Sequence, residues 1–207
     1  MSRVRVVNLG LPKSGTTTFN KALAASGLTV ADHRIRPRQT PDRALHGVFV
    51  GDLMYRGYFG SGDPLAFFEG FDAISETSVM RRGVNFWPQT DFGLIEALRE
   101  RHPDLRFVAT RRPTADICAS MAGWSNMLDR LPVYEIPGLP RGYGREEDER
   151  ARWIDAHYAF LARIFAGSDA YLELDVAAQD AAERLSAHLG LEIAWWGRAN
   201  ARRETAG

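Results

Sequence analysis

The sequence predicts an α/β fold, a three-layer sandwich with a mainly parallel, about five-stranded central sheet and helices on both faces. The first observation is that short runs of β-branched and apolar residues alternate with helical patterns of ten or more residues. Such alternation is typical of parallel strands joined by right-handed crossover helices. The second is length, since 207 residues, 45% of them hydrophobic and 25% charged, suffice for one substantial globular domain. We therefore expect a single domain over residues 1–207.

Five segments fit strands by their composition and by the turn residues that bound them. They are residues 4–9, 28–32, 72–76, 105–110 and 171–175. The segment 105–110 is the clearest, because β-branched and aromatic residues favour strands. In a parallel sheet of this kind, ligands bind beyond the carboxyl ends of the strands. We therefore expect the residues that follow these strands to converge on one edge of the sheet.

Most of the strands are followed by a segment with the caps and the apolar spacing of a helix. The helices are expected to begin at Thr16, at Thr90 or Asp91, at Thr114 or Asp116, at Glu146 and at Ala178. Trp153, His157 and Ile164 recur at helical spacing and mark a buried face, so His157 is interpreted as a core histidine. Residues 48–71 are aromatic but broken by glycines, and we expect irregular helix and loop at one end of the sheet. Residues 132–144 are expected to form a long loop or lid.

The overall charge and the cysteine content exclude some classes of function. The chain has 26 basic and 26 acidic residues, so its net charge does not point to nucleic acid or to an acidic membrane surface. Its single cysteine, Cys118, cannot form an internal disulfide and is expected to be an inert buried thiol. No apolar run approaches the length of a membrane span, and the first strand begins too close to Met1 for a signal peptide. We therefore expect a cytoplasmic location, while the oligomeric state stays open.

The most informative stretch joins the first strand to the first helix. It reads Asn8-Leu9-Gly10-Leu11-Pro12-Lys13-Ser14-Gly15-Thr16-Thr17-Thr18. A β-branched strand, a turn bounded by glycines and a helix start together present backbone N–H groups to an anion. Lys13 lies within the turn, and three threonines lie at the start of the helix. The stretch therefore predicts a phosphate-binding loop.

The spacing of this loop differs from that of the common nucleotide-binding P-loop, G-x-x-x-x-G-K-[ST]. Gly10 and Gly15 have the five-residue separation of that motif, but Thr16 stands where its lysine belongs. The lysine of this loop, Lys13, comes two residues before the second glycine. Pro-Lys-Ser-Gly-Thr-Thr placed directly after a first strand resembles instead the 5′-phosphosulfate-binding loop of sulfotransferases that use 3′-phosphoadenosine 5′-phosphosulfate (PAPS).

A second stretch, residues 111–120, resembles the 3′-phosphate-binding segment of the same family, in which an Arg-x-Pro is followed by a serine in the next helix. Arg111 matches by its place in Arg-x-Pro, whereas the family's eight-residue spacing to the serine fits Arg112 and Ser120. We expect Arg111 to hold the 3′-phosphate, with Arg112 as a second contact. A P-loop hydrolase or kinase would instead require an Mg²⁺-holding Asp at a strand end, and the clearest strand ends in arginine.

The resemblance implies a P-loop NTPase-like arrangement of the predicted fold, PAPS as co-substrate and no metal. It implies that Lys13 neutralises the charge that develops on the leaving oxygen. The residues implied to hold the 5′-phosphate are Pro12, Lys13, Ser14, Gly15, Thr16, Thr17 and Thr18.

Sulfotransferases use a histidine or a glutamate as the base that takes the acceptor proton. His33, at the end of the second strand, is the first choice because an unperturbed imidazole titrates near neutral pH. Glu76, at the end of the third strand, is the second choice. A structural role for each of these residues stays open.

The acceptor is not identified by the sequence. Aromatic residues suited to an apolar wall are Tyr55, Tyr58, Phe59, Phe67, Phe68 and Trp87. Arginines suited to an anionic acceptor are Arg34, Arg36, Arg38, Arg81 and Arg82, and tail arginines suited to the 3′-phosphate are Arg198, Arg202 and Arg203. The first two sets also fit plainer roles in the core and on the solvated surface.

The sequence thus predicts a sulfotransferase acting on a hydroxyl or amine of a small-molecule or glycan acceptor. Two alternatives stay open. One is a P-loop-type phosphotransferase or kinase, and the other is a non-catalytic module that binds phosphoadenosine nucleotides.

Overall fold

A computed structural model describes residues 3–81 and 83–197, which contain seven strands. They are β1 (Val6–Asn8), β2 (Val30–Asp32), β3 (Ala73–Glu76), β4 (Val79–Arg81), β5 (Val84–Phe86), β6 (Arg106–Arg111) and β7 (Tyr171–Asp175). Five of them form a parallel sheet in the order β2-β3-β1-β6-β7, and β4 pairs with β5 as an antiparallel hairpin. Because β1 lies in the centre of the parallel sheet, the loop that follows it opens at the middle of the carboxyl edge.

Helices cover both faces of the sheet. They are α1 (Thr16–Ala25), α2 (Val50–Ser61), α3 (Phe92–Arg101), α4 (Thr114–Ala122), α5 (Met127–Arg130), α6 (Glu147–Ile164) and α7 (Ala181–Leu189). Val6 and Val108 belong to one apolar core, beneath α1 and α7. Val7 and Phe107 belong to a second core, beneath α2, α3, α4 and α6. Neighbouring strand residues thus point to opposite faces, and the predicted α/β sandwich is confirmed.

Two segments differ from the sequence prediction. Residues 48–71, expected to be irregular helix and loop at one end of the sheet, contain the regular helix α2, whose buried residues pack on a face of the sheet. Glycine is required at position 57 of this helix, because a Cβ there would lie 2.3 Å from the carbonyl oxygen of Asp63. The hairpin of β4 and β5 was not predicted, because two strands of three residues are too short to show a period. The helix cap at Asp91 is confirmed, since its carboxylate accepts the N–H of Leu94 at 3.2 Å.

Three further expectations concern Cys118, the loop over residues 132–144 and membrane-spanning helices. Cys118 is buried in α4, and its Sγ lies 3.8 Å from the carbonyl oxygen of Glu147. The loop expected over residues 132–144 begins within a short 3-10 helix (Leu131–Val133) and contains one isolated β-bridge, between Ile136 and Leu139. None of the helices in the described ranges is both long and apolar enough to span a bilayer.

Candidate functional site

A cavity of about 540 Å³ opens at the carboxyl edge of the sheet. Three parts of the chain meet there: the loop after β1, the ends of β2 and β3, and the segment from the end of β6 into α4. Lys13, His33, Glu76, Arg112 and Ser120 all line this cavity, although they are distant in sequence. The expected convergence of strand ends on one edge is therefore confirmed for these segments.

The loop after β1 packs so closely that two of its glycines are required by space. A Cβ on Gly10 would lie 2.3 Å from Oγ1 of Thr110 and 2.6 Å from its carbonyl oxygen. Gly15 has φ +117°, and a Cβ there would lie 2.7 Å from the side chain of Val176. The backbone of the loop is therefore pressed against the residues that follow β7 as well as against β6. Only glycine permits this approach.

Backbone strain is concentrated around the cavity. Among the residues that the structure describes, the non-glycine residues with positive φ are Lys13 at +72°, His33 at +51° and Ser125 at +48°. Two of them line the cavity, and Ser125 follows Trp124, which also lines it. Each such residue costs on the order of 1–3 kcal/mol and persists where the surrounding structure imposes it. The Nζ of Lys13 lies 4.7 Å from the centroid of the Trp124 ring, a cation–π contact that orients the ammonium group.

A buried polar network forms the floor of the loop. Oδ1 of Asn8 accepts hydrogen bonds from the N–H groups of Gly10 (3.0 Å) and Thr110 (3.1 Å). Nδ2 of Asn8 donates to the carbonyl oxygen of Ser75 at 2.8 Å. One amide side chain thus joins β1 to both of its neighbours, β3 and β6, directly below the loop.

The side chain of Ser14 belongs to this floor. Its Oγ shares a hydrogen bond of 2.7 Å with Oγ1 of Thr110, and the residue is completely buried. One of the hydroxyl groups expected to hold the 5′-phosphate, that of Ser14, is therefore used inside the protein. Of the expected hydroxyl groups, those of Thr16, Thr17 and Thr18 are on residues that line the cavity.

His157 and Tyr158, in α6, support the same floor from below. His157 Nε2 lies 2.8 Å from the carbonyl oxygen of Leu9, which can only accept, so Nε2 carries the proton. Burial lowers the pKa of His157 to about 4 and keeps the ring neutral. The hydroxyl of Tyr158 donates to the carbonyl oxygen of Thr110 at 2.7 Å. The interpretation of His157 as a core histidine is confirmed.

The two arginines after β6 have different surroundings. Arg111 Nη1 lies 2.6 Å from Oε1 of Glu173, its Nη2 lies 3.7 Å from Asp155, and its Cζ lies 4.7 Å from the centroid of the Tyr158 ring. Arg112 lines the cavity together with Ser120, and within the described ranges it forms no ion pair. The geometry thus reverses the expected order of the two arginines. Arg112, which also has the eight-residue spacing to Ser120, is the one at the cavity.

Strand alternation explains this reversal. Side chains of successive strand residues point to opposite faces, so Arg111 shares a face with Phe107 and lies under α6. Arg112 follows the last residue of β6 and leaves the strand towards the carboxyl edge.

The candidate base His33 is fixed in one tautomer. Its Nδ1 lies 3.1 Å from the carbonyl oxygen of Ser78, so Nδ1 carries the proton and Nε2 keeps a lone pair. Its ring packs edge-on against Phe49, with centroids 5.3 Å apart. Burial is the main cause of a lowered pKa of His33, so the ring is neutral at pH 7. A neutral imidazole with a free Nε2 can accept a proton.

Glu76 is held beneath His33 by hydrogen bonds. Its Oε1 accepts from the N–H of Ser78 at 3.0 Å and from its Oγ at 2.6 Å, and the hydroxyl of Thr16 also bonds to this carboxylate. Burial raises the pKa of Glu76 to about 7 despite these donors. Ser78 therefore links Glu76 to His33, and Thr16 links Glu76 to the loop after β1.

Asp32, at the end of β2, also lines the cavity. Its Oδ1 accepts from Oγ of Ser75 at 2.9 Å, and its Oδ2 lies 3.9 Å from Arg36. In the part of the chain that the structure describes, no group of three or more His, Cys, Asp or Glu side chains has the arrangement of a metal site.

Several residues of the site were not predicted. Asn8 had a detectable signal, because it is an amide at the end of an apolar strand and next to the loop. Ser78 and Trp124 had none, since their roles depend on neighbours that are distant in sequence. The expected tail residues Arg198, Arg202 and Arg203, and the acceptor candidate Arg82, lie outside the described residues.

Comparison with known proteins adds no assignment to this geometry. Neither the models of known protein families nor the curated protein sequences give a match to the chain. A functional proposal therefore depends on the cavity itself and on the motifs that line it.

Proposed function

We propose that this protein is a sulfotransferase that moves a sulfuryl group from PAPS to a hydroxyl or amine of an acceptor. The observation that carries the proposal is that one cavity joins two candidate anion-binding segments and a candidate base. The segments are the loop around Lys13 and the pair Arg112 and Ser120, and the base is His33. PAPS has phosphates on the 5′ and 3′ positions of one ribose and therefore requires two such segments.

The loop after β1 suits the 5′-phosphate. α1 begins at Thr16 and has no acidic residue in its first turn, so its free N–H groups and its dipole favour an anion. Thr17 lines the cavity at the same turn, whereas the hydroxyl of Thr18, which also lines it, donates to the carbonyl oxygen of Gly197 at 3.2 Å. Arg112 supplies a guanidinium and Ser120 a hydroxyl for the 3′-phosphate, a charge-assisted pairing that is stronger than neutral hydrogen bonds.

In the proposed reaction the acceptor atom attacks sulfur and the bond between sulfur and the bridging oxygen breaks. 3′-Phosphoadenosine 5′-phosphate (PAP) leaves, and Lys13 neutralises the charge that appears on its oxygen. Nε2 of His33 takes the acceptor proton, because Nδ1 is already protonated and bonded to Ser78. Glu76 is assigned to hold Ser78, since its carboxylate is occupied by two hydrogen bonds from that residue.

The alternative of a P-loop phosphotransferase is less well supported by the same cavity. Thr16 stands at the position of the essential lysine of that motif, and its hydroxyl bonds to Glu76. Asp32 is a strand-end aspartate, but it is engaged by Ser75 and Arg36.

Thermal unfolding with added nucleotide tests the proposal and separates the alternatives. PAP should raise the unfolding temperature, since a ligand at 100 times its Kd adds about 2.7 kcal/mol to stability. ATP with Mg²⁺ should give a much smaller shift. Stabilisation by ATP-Mg²⁺ and not by PAP would favour a phosphotransferase. Stabilisation by PAP without consumption of PAPS in the presence of any of a panel of phenol, amine and sugar acceptors would favour a non-catalytic module.

A further inference from the structure

Two exposed arginines lie close to the candidate base, and one of them lines the cavity. Arg81, on β4, lines the cavity, and its Cζ lies 5.7 Å from the centroid of the Phe49 ring. Arg34 lies on the same ring, with its Cζ 4.3 Å from the centroid. His33 packs edge-on against this ring as well. The two guanidinium groups and the imidazole thus share the ring of Phe49.

The positive charge of these arginines is not balanced by nearby carboxylates. Among residues 3–81 and 83–197, neither Arg34 nor Arg81 has a carboxylate oxygen within 4 Å. Two acids line the same cavity and have other partners. Asp32 lies near Arg36 and accepts from Ser75, and Glu76 accepts from Ser78. Both arginines lower the pKa of His33, whereas Asp32 raises it, so their charges act at the base itself.

The wall next to Arg81 is apolar. Met80 and Trp87 line the same cavity and are 7% and 2% exposed. The indole N–H of Trp87 donates to Oδ1 of Asn85 at 2.9 Å, so the ring is fixed in orientation. A ligand at this end would meet an apolar surface and a cationic one side by side.

We propose that the acceptor is an anion: it carries a carboxylate, sulfonate, sulfate ester or phosphate ester that Arg81 binds, with Arg34 adding positive charge beside it, while its nucleophile meets His33. The ligand's role as an acceptor rests on the proposed sulfotransferase function, whereas the anion-binding site itself does not. An apolar part of the acceptor would lie against Met80 and Trp87. Arg112 and Lys13 would remain for the nucleotide.

Binding of a matched pair of probes to the PAP-saturated protein tests this proposal. 2-Naphthalenesulfonate and 2-naphthalenesulfonamide have nearly the same shape and differ in charge. We expect the sulfonate to bind at least tenfold more tightly in titration calorimetry. Arg81→Gln should remove that preference without changing the shift that PAP causes, and Arg81→Lys should keep most of it. Arg56→Gln, which removes an exposed arginine paired with Asp52 on α2, is the matched control.

Equal affinity for the two probes, absence of sulfonate binding, or a preference that survives Arg81→Gln would overturn the anion site. Failure of the anion site is distinguishable from failure of the proposed sulfotransferase function. If PAP gives no thermal shift, the sulfotransferase proposal fails. The probe pair can then be titrated without nucleotide, and loss of the preference in Arg81→Gln would still locate the anion at Arg81.

Discussion

The two sides of the cavity are held in different ways. The side after β1 rests on neutral groups, in which Asn8, Ser14 and Thr110 satisfy one another and His157 is kept uncharged by burial. The side after β2 and β3 rests on titratable groups, because Glu76 holds Ser78 and Ser78 holds His33. The side after β1 is therefore preformed at any moderate pH, whereas the side that carries the candidate base depends on protonation.

The largest expected effect is on the base side, in His33→Ala. Loss of a general base should lower kcat by roughly 10²–10⁴-fold. In the wild type, kcat/KM should fall as the pH drops through the pKa of His33, which burial places below the ordinary histidine value. Glu76→Gln should keep that acidic limb, and pH–rate profiles of both variants decide the assignment. If Glu76→Gln removes the limb and His33→Ala retains it, the roles are exchanged.

On the side after β1, the corresponding substitution is Lys13→Ala. Removing the cation at the leaving oxygen should lower kcat by roughly 10²–10³-fold while PAP affinity falls only modestly. Lys21→Ala, on the exposed side of α1, is the control and should retain activity. Single-turnover assays with PAPS provide the measurement. Near-full activity of Lys13→Ala would refute the assignment of the loop.

The buried network on the side after β1 should contribute to the stability of the fold, and Asn8→Ala should lower that stability. The variant leaves the N–H groups of Gly10 and Thr110 and the carbonyl of Ser75 without their buried partner. We expect a loss of roughly 2–4 kcal/mol in the free energy of unfolding, since an unsatisfied buried group costs about 1–3 kcal/mol. Urea unfolding measures it. Asn20→Ala, which removes one bond to Ser75, should cost less, and an equal cost would contradict the proposed network.

The two arginines after β6 should separate binding from stability. Arg112→Gln should weaken PAP binding about tenfold to a hundredfold, as expected for loss of a hydrogen bond to a charged group. Arg111→Gln should leave PAP affinity nearly unchanged and lower stability by less than about 1 kcal/mol, because its ion pair is partly exposed. Calorimetric titration with PAP distinguishes them. The opposite ranking would restore Arg111 as the 3′-phosphate contact.

The smallest expected effect is the pH dependence of stability. Folding raises the pKa of Glu76 from 4.5 to about 7, so the folded state holds more protons and stability falls as pH rises through this range. Folding lowers the pKa of His157 from 6.5 to about 4, which gives the opposite slope between those values. The two slopes oppose each other in the wild type. Glu76→Gln should expose the rise due to His157, to which His33 and His188 add because burial lowers their pKa as well, in urea midpoints from pH 4 to 7. An unchanged profile would contradict the raised pKa of Glu76.

The fold and the edge of the sheet that carries the site were predictable because they depend on local patterns. Apolar runs, the cap at Asp91 and the glycine spacing around Lys13 are visible in one stretch of chain each. The outcome at Ser14 was not predictable, since its hydroxyl faces inward only because Thr110 lies across from it. The same holds for the hairpin of β4 and β5, which brings Arg81 to His33.

The choice between Arg111 and Arg112 could have been predicted from the sequence. Continuing the alternation of β6 from Phe107 and Ala109 would have placed Arg111 on the same face of the sheet as these two residues, which is the face that α6 covers. Its partners Glu173 and Asp155 belong to other elements and were not identifiable from spacing.

Cys118 gives the molecule a built-in chemical reporter. The thiol is buried in α4, two residues before Ser120, and burial raises its pKa, so it is protected twice from alkylating reagents. Its labelling rate therefore measures how often α4 separates from α6, with no engineered probe. A nucleotide bound at Ser120 would slow that labelling, so one native sulfur atom can record occupancy of the cavity in a mass spectrum.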